Sequence, residues 1–441
     1  AERDSLRASV VHVCVCWFFL PGCRGGEFCE AQMTKVAVIG AGAAGLVTAD
    51  ELRRAGHEIV VFERSSQIGG VWVYAETKDR SMYASLRTNL PRDLMAFRSF
   101  PFDSRGSGDD AGQRFPSHRA VLDYLLQFAL DRDLFGSIEF ETEVTGVNEA
   151  PNGWTLETSR RGEVVQHEFE AVAVCNGHFS VPRPIEIEGA AAFPGWVKHS
   201  REYRRPDPYQ GMSVAVVGAG SSGLDLSVEI AAVAERVYWC GKDFDKIRDF
   251  PGMANLSTAP MPDALTAEGD LSTAGVELAI DGVLLCTGFN YDLPFIDEGV
   301  VAGRDAPAPL YQHMLPIGHP TMALIGIPQR IIPFPLFEMQ AAWFAAVLSG
   351  DVILANVDEM WSWLEAWHEH CRRDGRDGHQ FRNIGEEQFD YIDELAQECG
   401  AALLPDWYRP LAQETQQNRL ANPLDYRDRP LAIRGDSQIV P

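Results

Sequence analysis

The most specific chemistry in this chain lies in two glycine runs. The first reads VAVIGAGAAGL, with Gly40, Gly42 and Gly45; the second reads VAVVGAGSSGL, with Gly218, Gly220 and Gly223. In each, a β-branched run (Val36 to Ile39; Val214 to Val217) leads into G-x-G-x-x-G, and a helix-forming stretch follows. The first glycine permits the tight turn, the second lets backbone approach a pyrophosphate, and the third packs helix on strand. The helix N-terminus then offers unpaired N–H groups and a positive dipole end to the phosphates. One such run is weak evidence. Two, each in strand–turn–helix context, predict a chain that binds two dinucleotides.

The strand that follows each helix separates the two ligands. EIVVFE ends at Glu63, an acid placed to accept hydrogen bonds from the ribose diol of FAD or NAD. In the second unit the strand is RVYWCGK, and at the same offset from the third glycine Glu63 corresponds to Gly241. Lys242 comes next. An acid there would repel a 2′-phosphate and a lysine would attract it, so NADPH is expected over NADH. Asp243 and Asp245 oppose that reading, and the bland alternative for Lys242 is a solvated lysine.

A chain of 441 residues, 46% hydrophobic, can build two or three packed domains. The formal net charge of −25 argues against nucleic acid and anionic membrane as partners. Of nine cysteines, Cys14, Cys16, Cys23 and Cys29 crowd the N-terminus and the rest are scattered, with no C-x-x-C pair. That pattern suits a reducing compartment, and the cytoplasm is expected. Met33 directly precedes TKVAVIG, so residues 1–32 read as an extension, disordered or a leader; the run Val10 to Leu20 is too short to span a bilayer.

Periodicity predicts βαβ from Lys35, a helix in RAVLDYLLQFAL, a hairpin of SIEFETEV and WTLETS about Asn152-Gly153, and a buried strand in AVAVCNGH. GVLLCTGF repeats the strand-then-glycine ending of AVAVCNGH, which suggests two crossing points between domains. Later helices are expected around Leu336–Leu348, Val357–Arg373 and Glu386–Glu398, with a loose polar tail from Arg427. The fold expected is α/β: two Rossmann-like dinucleotide-binding domains, the NADPH domain inserted into a discontinuous FAD domain. The borders drawn are 33–181 and 284–430 for the FAD domain, 182–283 for the NADPH domain, and 431–441 for the tail.

A third motif lies between the glycine runs. FPGWVKHSREY carries Phe193, Gly195, His199 and Tyr203 in F-x-G-x-x-x-H-x-x-x-Y, which resembles the identifying motif of flavin-containing monooxygenases. Baeyer–Villiger monooxygenases are similar but carry Trp in place of Tyr203. CTGF (Cys286 to Phe289) resembles the family's T-G-Y signature, with Phe289 as a departure. SLRTNLPRDLMAF and IGIPQRIIPFPLFEMQAAW are most similar to the plant and algal S-oxygenating branch. The resemblance covers roughly 33–430, with its motifs in the expected order.

That resemblance implies roles residue by residue. Gly40, Ala41, Gly42, Ala43, Ala44, Gly45 and Glu63 would bind the ADP half of FAD, and Gly70, Val71 and Trp72 would pass near the flavin. Thr88, Asn89 and Leu90 would line the cofactors, with Asn89 catalytic, against the flavin and the NADP ribose. Gly218, Gly220, Ser221, Ser222, Gly223, Leu224 and Asp225 would hold the NADPH pyrophosphate, joined by Lys242, Thr287 and Gly288. His199 and Tyr203 would be structural. Asn176 stands where the family has Thr, and 252–281 is short for the family's NADPH domain. The implied reaction puts one oxygen atom of O2 on a soft sulfur or nitrogen through a flavin C4a-hydroperoxide. The expected partners are a small thioether, thiol or amine and O2, without transmembrane anchor; a homodimer stays open.

Blander readings accompany these. Asn89, before Leu90-Pro91, fits a turn residue as well as an active-site amide. His368, Glu369, His370 and Cys371 lack H-E-x-x-H spacing and adjacent helical residues point apart, so no metal site is expected. Trp361, Trp363 and Trp367 are expected to pack. A pyridine nucleotide–disulfide reductase would need a redox cysteine pair. An NADPH oxidase or an inactive nucleotide sensor would keep both glycine runs without oxygen transfer.

Overall fold

The computed structural model describes residues 33–77, 80–102, 113–297, 299–301 and 309–433. The expected N-terminal extension and the last residues of the tail lie outside them. The chain starts with β1 (Lys35–Ile39), α1 (Ala43–Arg54) and β2 (Glu58–Glu63), which pairs parallel with β1. Next is α2 (His118–Asp131), started by Ser117, whose side chain accepts from the N–H of Ala120 at 3.3 Å. SIEFETEV divides, contrary to its reading as one hairpin arm. Its first half is β3 (Ile138–Phe140), parallel to β2; its second half begins β4 (Glu143–Ala150). Glu141 between them has φ of 54°, a left-handed break that redirects the chain. β4, β5 (Gly153–Arg160) and β6 (Glu163–Phe169) form an antiparallel meander, and β7 (Ala171–Val174) returns to lie parallel to β1.

The second unit repeats this plan. β8 (Val181–Pro182) and β9 (Trp196–His199) precede β10 (Ser213–Val217), α3 (Ser221–Ala231) and β11 (Arg236–Cys240). β12 (Arg248–Phe250) and β13 (Met253–Ala259) follow, and then a small antiparallel sheet of β14 (Ala264–Leu265), β15 (Asp270–Thr273) and β16 (Val276–Ala279). β17 (Gly282–Leu285) lies parallel to β10, as β7 lies to β1, so the sheet order is β12-β13-β11-β10-β17-β9. A border at 283 therefore falls inside a strand. The two crossings between sheets run through β8 and β18 (Phe289–Asn290), which pair antiparallel.

After β19 (Leu310–Tyr311) and β20 (Leu315–Pro316), β21 (Met322–Leu324) rejoins the first sheet beside β7, giving β21-β7-β1-β2-β3. The first sheet is thus built from both sides of the insertion, as the α/β reading required. Helices α4 (Pro333–Ser349), α5 (Val357–Arg373) and α6 (Gln388–Cys399) follow. α4 begins with proline, ends at Gly350 in the left-handed region, and buries Phe334, Leu336, Trp343 and Phe344 against the first core. α7 (Tyr408–Ala421) was not expected. The tail is not loose from Arg427 either: Arg114 donates to the Leu431 carbonyl at 3.3 Å, Glu414 accepts from the N–H of Ile433, and Leu431 is buried. Among the described residues no helix is long and apolar enough to cross a membrane.

α1 packs on α4 with two acids, Glu51 and Glu338, at the seam. Glu338 is buried and accepts from the backbone N–H groups of Arg98 (2.5 Å) and Ser99 (2.8 Å). Burial pushes the Glu51 carboxyl up to about 7, against the Arg54 guanidinium 2.9 Å away, and the Glu338 and Asp50 carboxylates add to the rise. A carboxyl with a raised folded pKa binds more protons in the native state, so its folding penalty grows as pH rises from the ordinary carboxylate range to about 7. Glu51→Gln should therefore raise the thermal midpoint by a few degrees at about pH 8, and the gain should close by about pH 5. A thermal-shift difference that is the same at both pH values would refute this.

Candidate active site

At the first glycine turn, Gly40 has φ of 102°, and a Cβ on it would lie 2.7 Å from the carbonyl oxygen of Cys175. A Cβ on Gly45 would lie 1.8 Å from the carbonyl oxygen of Gly40, so α1 starts in contact with the end of β1. Gly42 caps α1 without a side chain, and the first turn carries no acid, which leaves its N–H groups open to an anion. Glu63 closes the turn: Oε2 accepts from the N–H of Ala41 at 2.8 Å, and Oε1 accepts from the N–H of Ser65 at 2.8 Å. Ala41 and Ala43 are buried, and Ala44 packs partly against the core.

A second loop folds over the first. Gly69 donates to the Ala41 carbonyl at 2.9 Å, and Gly69 and Gly70 both have positive φ (115° and 56°). A Cβ on Gly70 would approach the Gly42 Cα to 3.0 Å, so the two glycines keep open a slot that side chains would fill. The donors and the slot fit a flavin dinucleotide. Val71 is exposed; Trp72 is half-buried, edge-on to Phe334 at 6.3 Å.

The second turn has the same construction. Gly218 has φ of 135°, and a Cβ there would lie 2.2 Å from the Cys286 carbonyl oxygen; one on Gly223 would lie 1.8 Å from that of Gly218. Gly220 faces open space, and α3, like α1, has neither side-chain cap nor acid in its first turn. Ser222 is exposed and Ser221 half-buried. Gly241 is buried against Ala219 and Phe244, where a Cβ would lie a tight 3.0 Å from each, and Lys242 beside it is exposed. This surface fits a nicotinamide dinucleotide. Two expected residues face elsewhere. Leu224 is buried in the core beneath α3, and Asp225 is held by Arg427 at 2.6 Å, so neither is free for a phosphate.

The segment around Asn89 reaches the second turn. Asn89 Nδ2 donates to Ser221 Oγ at 3.2 Å. Thr88 is spent on the loop, its hydroxyl donating to the Leu90 carbonyl at 2.7 Å and its N–H to Pro116 at 2.9 Å; Leu90 is half-buried against the core. Arg427 Nε donates to the Thr88 carbonyl at 2.9 Å while Nη1 and Nη2 hold Asp225. Arg204, one residue past the third motif, donates to the carbonyls of Thr77 and Arg80 and accepts from the N–H of Ala84. The motif itself is packing. His199 Nδ1 accepts from the N–H of Arg201 at 3.1 Å, so Nε2 donates to the Gly288 carbonyl at 3.0 Å, and burial lowers its pKa. Tyr203 is buried between Tyr83 and Tyr209. Thr287 donates to the Arg183 carbonyl at 2.7 Å, and Gly288 turns with φ of 81°.

Arg204, Arg419 and Arg427 are functional neighbours that sequence reasoning missed; each acts on residues more than a hundred positions away, and no local pattern announces them. His368, Glu369, His370 and Cys371 do not converge. His370 instead meets Asp374 and Glu387, and Arg376 already fills that acidic corner with contacts of 3.0 and 3.1 Å. Trp363 and Trp367 pack edge-on about His313, whereas Trp361 is exposed.

A family model described as flavin-binding monooxygenase-like matches residues 33–245 and 268–408. An Arabidopsis thaliana protein, flavin-containing monooxygenase FMO GS-OX-like 4, is 36% identical over 89% of this chain and 93% of its own. Flavin-containing monooxygenase FMO GS-OX3 of the same plant is 37% identical over 89% and 90%. Among solved structures, S-allyl-L-cysteine S-oxygenase from Allium sativum superimposes with a TM-score of 0.87 at 37% identity, covering 90% of this chain and 95% of its own. Tmm from a Pelagibacter strain shares the fold, with a TM-score of 0.80 at 23% identity over 92% and 96%. Matched across both glycine turns and the Asn89 segment between them in sequence, the chain belongs to the flavin-binding monooxygenase-like family, enzymes that use a flavin and NADP(H).

Proposed function

We propose that this enzyme uses FAD and NADPH to place one oxygen atom of O2 on the sulfur of a small thioether or thiol, with an amine nitrogen as a second acceptor. The likeness to the S-oxygenase of Allium sativum supports sulfur as the main target. The observation that carries the reading is the Asn89–Ser221 contact, which brings a loop from the first glycine turn's domain to the phosphate end of the second turn. Bound flavin, once reduced by NADPH, supplies the oxygen chemistry; the protein binds, orients and excludes water.

The first turn takes the ADP half of FAD. The open N–H groups of α1 meet its pyrophosphate, and Glu63, which still has acceptor sites to spare, takes the ribose hydroxyls. A flavin diphosphate with adenosine, not flavin mononucleotide, is what this turn and acid suit. Gly70, Val71 and Trp72 lie along the ring system. The N–H groups of α3 with Ser221 and Ser222 take the NADPH pyrophosphate, and Lys242 takes the 2′-phosphate. Asn89 commits one N–H to Ser221 and keeps an N–H and a carbonyl for the nicotinamide ribose and the reacting oxygen. The cytoplasm suits the chain's chemistry, since all five cysteines among the described residues are free thiols.

The direct test follows NADPH consumption under oxygen against a panel of thioethers, thiols and tertiary amines, with product mass measured. A gain of one oxygen atom on a thioether is expected; NADPH oxidation that yields only peroxide with every compound would refute oxygen transfer.

Lys242→Ala should lower the NADPH-over-NADH preference in kcat/KM by about tenfold, the worth of one charge-assisted contact. An unchanged ratio would return Lys242 to the role of a solvated lysine.

Asn89→Ala should uncouple the reaction: NADPH oxidation persists, peroxide rises, and oxygenated product per NADPH falls. Loss of a preorganised donor acting in the transition state costs about 2.7–4 kcal/mol, so the productive branch should drop on the order of a hundredfold or more. Unchanged product stoichiometry would make Asn89 a turn residue.

A further inference from the structure

Arg419 stands at the start of α3 with its charge unmatched. It comes from the last turn of α7, and its Nη2 donates to Ser221 Oγ at 2.9 Å. The same oxygen accepts from Asn89 Nδ2 at 3.2 Å. A hydroxyl has two acceptor sites and one hydrogen. Both acceptor sites of Ser221 are thus taken, and its O–H is left to donate outward, over the uncapped first turn of α3.

The neighbouring arginine shows the contrast. Arg427 reaches α3 one turn later, and there its charge is met by Asp225, with both side chains mostly buried. Among the described residues Arg419 makes no ion pair, and its other N–H donors have no protein acceptor. A cation beside the positive end of a helix dipole is disfavoured. It becomes favourable once an anion lies between the guanidinium and the helix, and the protein supplies the rest of such a site: N–H groups, a donating hydroxyl, and the open space above Gly220.

We propose that Arg419 is a phosphate-binding residue, delivered by the C-terminal helix α7 to the pyrophosphate of the nicotinamide dinucleotide. The assignment rests on the NADP(H) reading above. It divides the labour between two cations: pyrophosphate is common to NADP and NAD, so Arg419 sets affinity for both, whereas Lys242 sets the choice between them. It also ties the nucleotide to Asn89, because the two donors share Ser221 Oγ and fix each other's position.

The test titrates the flavin-loaded protein with NADP+ and with NAD+ by calorimetry, for wild type, Arg419→Ala, Arg419→Gln and Ser221→Ala. Flavin content and thermal midpoint report on folding. Arg419→Gln keeps a hydrogen-bond donor for Ser221 and removes only the charge. Both Arg419 variants should bind each nucleotide about ten- to hundredfold more weakly, with the NADP+ to NAD+ ratio unchanged. The gap between wild type and Arg419→Gln should narrow in high salt. Arg419→Gln binding NADP+ within about twofold of wild type, with intact flavin, would overturn the proposal. So would a loss in Arg419→Ala that Ser221→Ala reproduces in full, for then Arg419 merely positions the serine. Wild type that binds neither nucleotide would instead refute the NADP(H) reading itself, and the Arg419 assignment with it.

Discussion

A Cβ on Gly45 would sit 1.8 Å from the carbonyl oxygen of Gly40, and one on Gly223 the same distance from that of Gly218. No rotamer relieves such a contact, because both atoms belong to backbone or to the first side-chain carbon. The helix can start against the strand end only where the side chain is a hydrogen. From that constraint follow the direction of α1 and α3, the exposure of their first N–H groups, and the approach of Cys175 and Cys286 to the first glycine of each turn. Those two cysteines directly follow β7 and β17, so the third strand of each unit is held to the same glycine that turns the first. The thiols are consequences of packing: burial pushes both up to about 12, which makes them inert beside the cofactor turns.

The junction between the two sheets is held differently. Tyr83 and Leu86 pack across it into the second core, and arginines beside them capture backbone carbonyls. Arg204 gathers Thr77 and Arg80, and Arg427 gathers Arg87 and Thr88 while paired with Asp225. A carbonyl caught by a guanidinium is fixed in direction, and that orients the Asn89 loop more tightly than a greasy contact would. The Arg427–Asp225 pair leaves each side chain 17% exposed. Removing one partner would strand the other charge away from water, so the pair matters more for position than for net stability.

Local patterns in the sequence were legible because their causes are local. The glycine turns, α2, α4 and α5 declare themselves through spacing, caps and apolar periodicity, each within a dozen or so residues. α7 did not: YRPLAQETQQNRLA is mostly polar, and only Tyr408, Leu411 and Thr415 are buried, the first two against residues as far away as Leu94 and Phe115. Asp225 and Leu224 sat in the right motif with the wrong duty, since the motif fixes the helix start and tertiary contacts decide which side of the helix meets ligand. The segment 427–433 looked loose for the same reason. Its anchors are Glu414, Arg114 and Asp225, and none lies near enough in sequence to reveal the pairing.

The chain's formal charge of −25 should repel an anionic dinucleotide, yet both turns are built to hold one. The two facts act over different distances. At physiological ionic strength the Debye length is about 8 Å, so most of the acidic surface is screened from a bound phosphate. The groups within contact are the ones that count, and there the balance reverses: two helix starts without acids, glycines that admit backbone N–H groups, and one guanidinium with no carboxylate partner among the described residues. An acid in either first turn would undo this at short range, where nothing screens it. The acid the site does keep, Glu63, lies at the strand end with one oxygen bound to the N–H of Ala41 in the turn and the other to the N–H of Ser65, so its charge is already met by backbone donors.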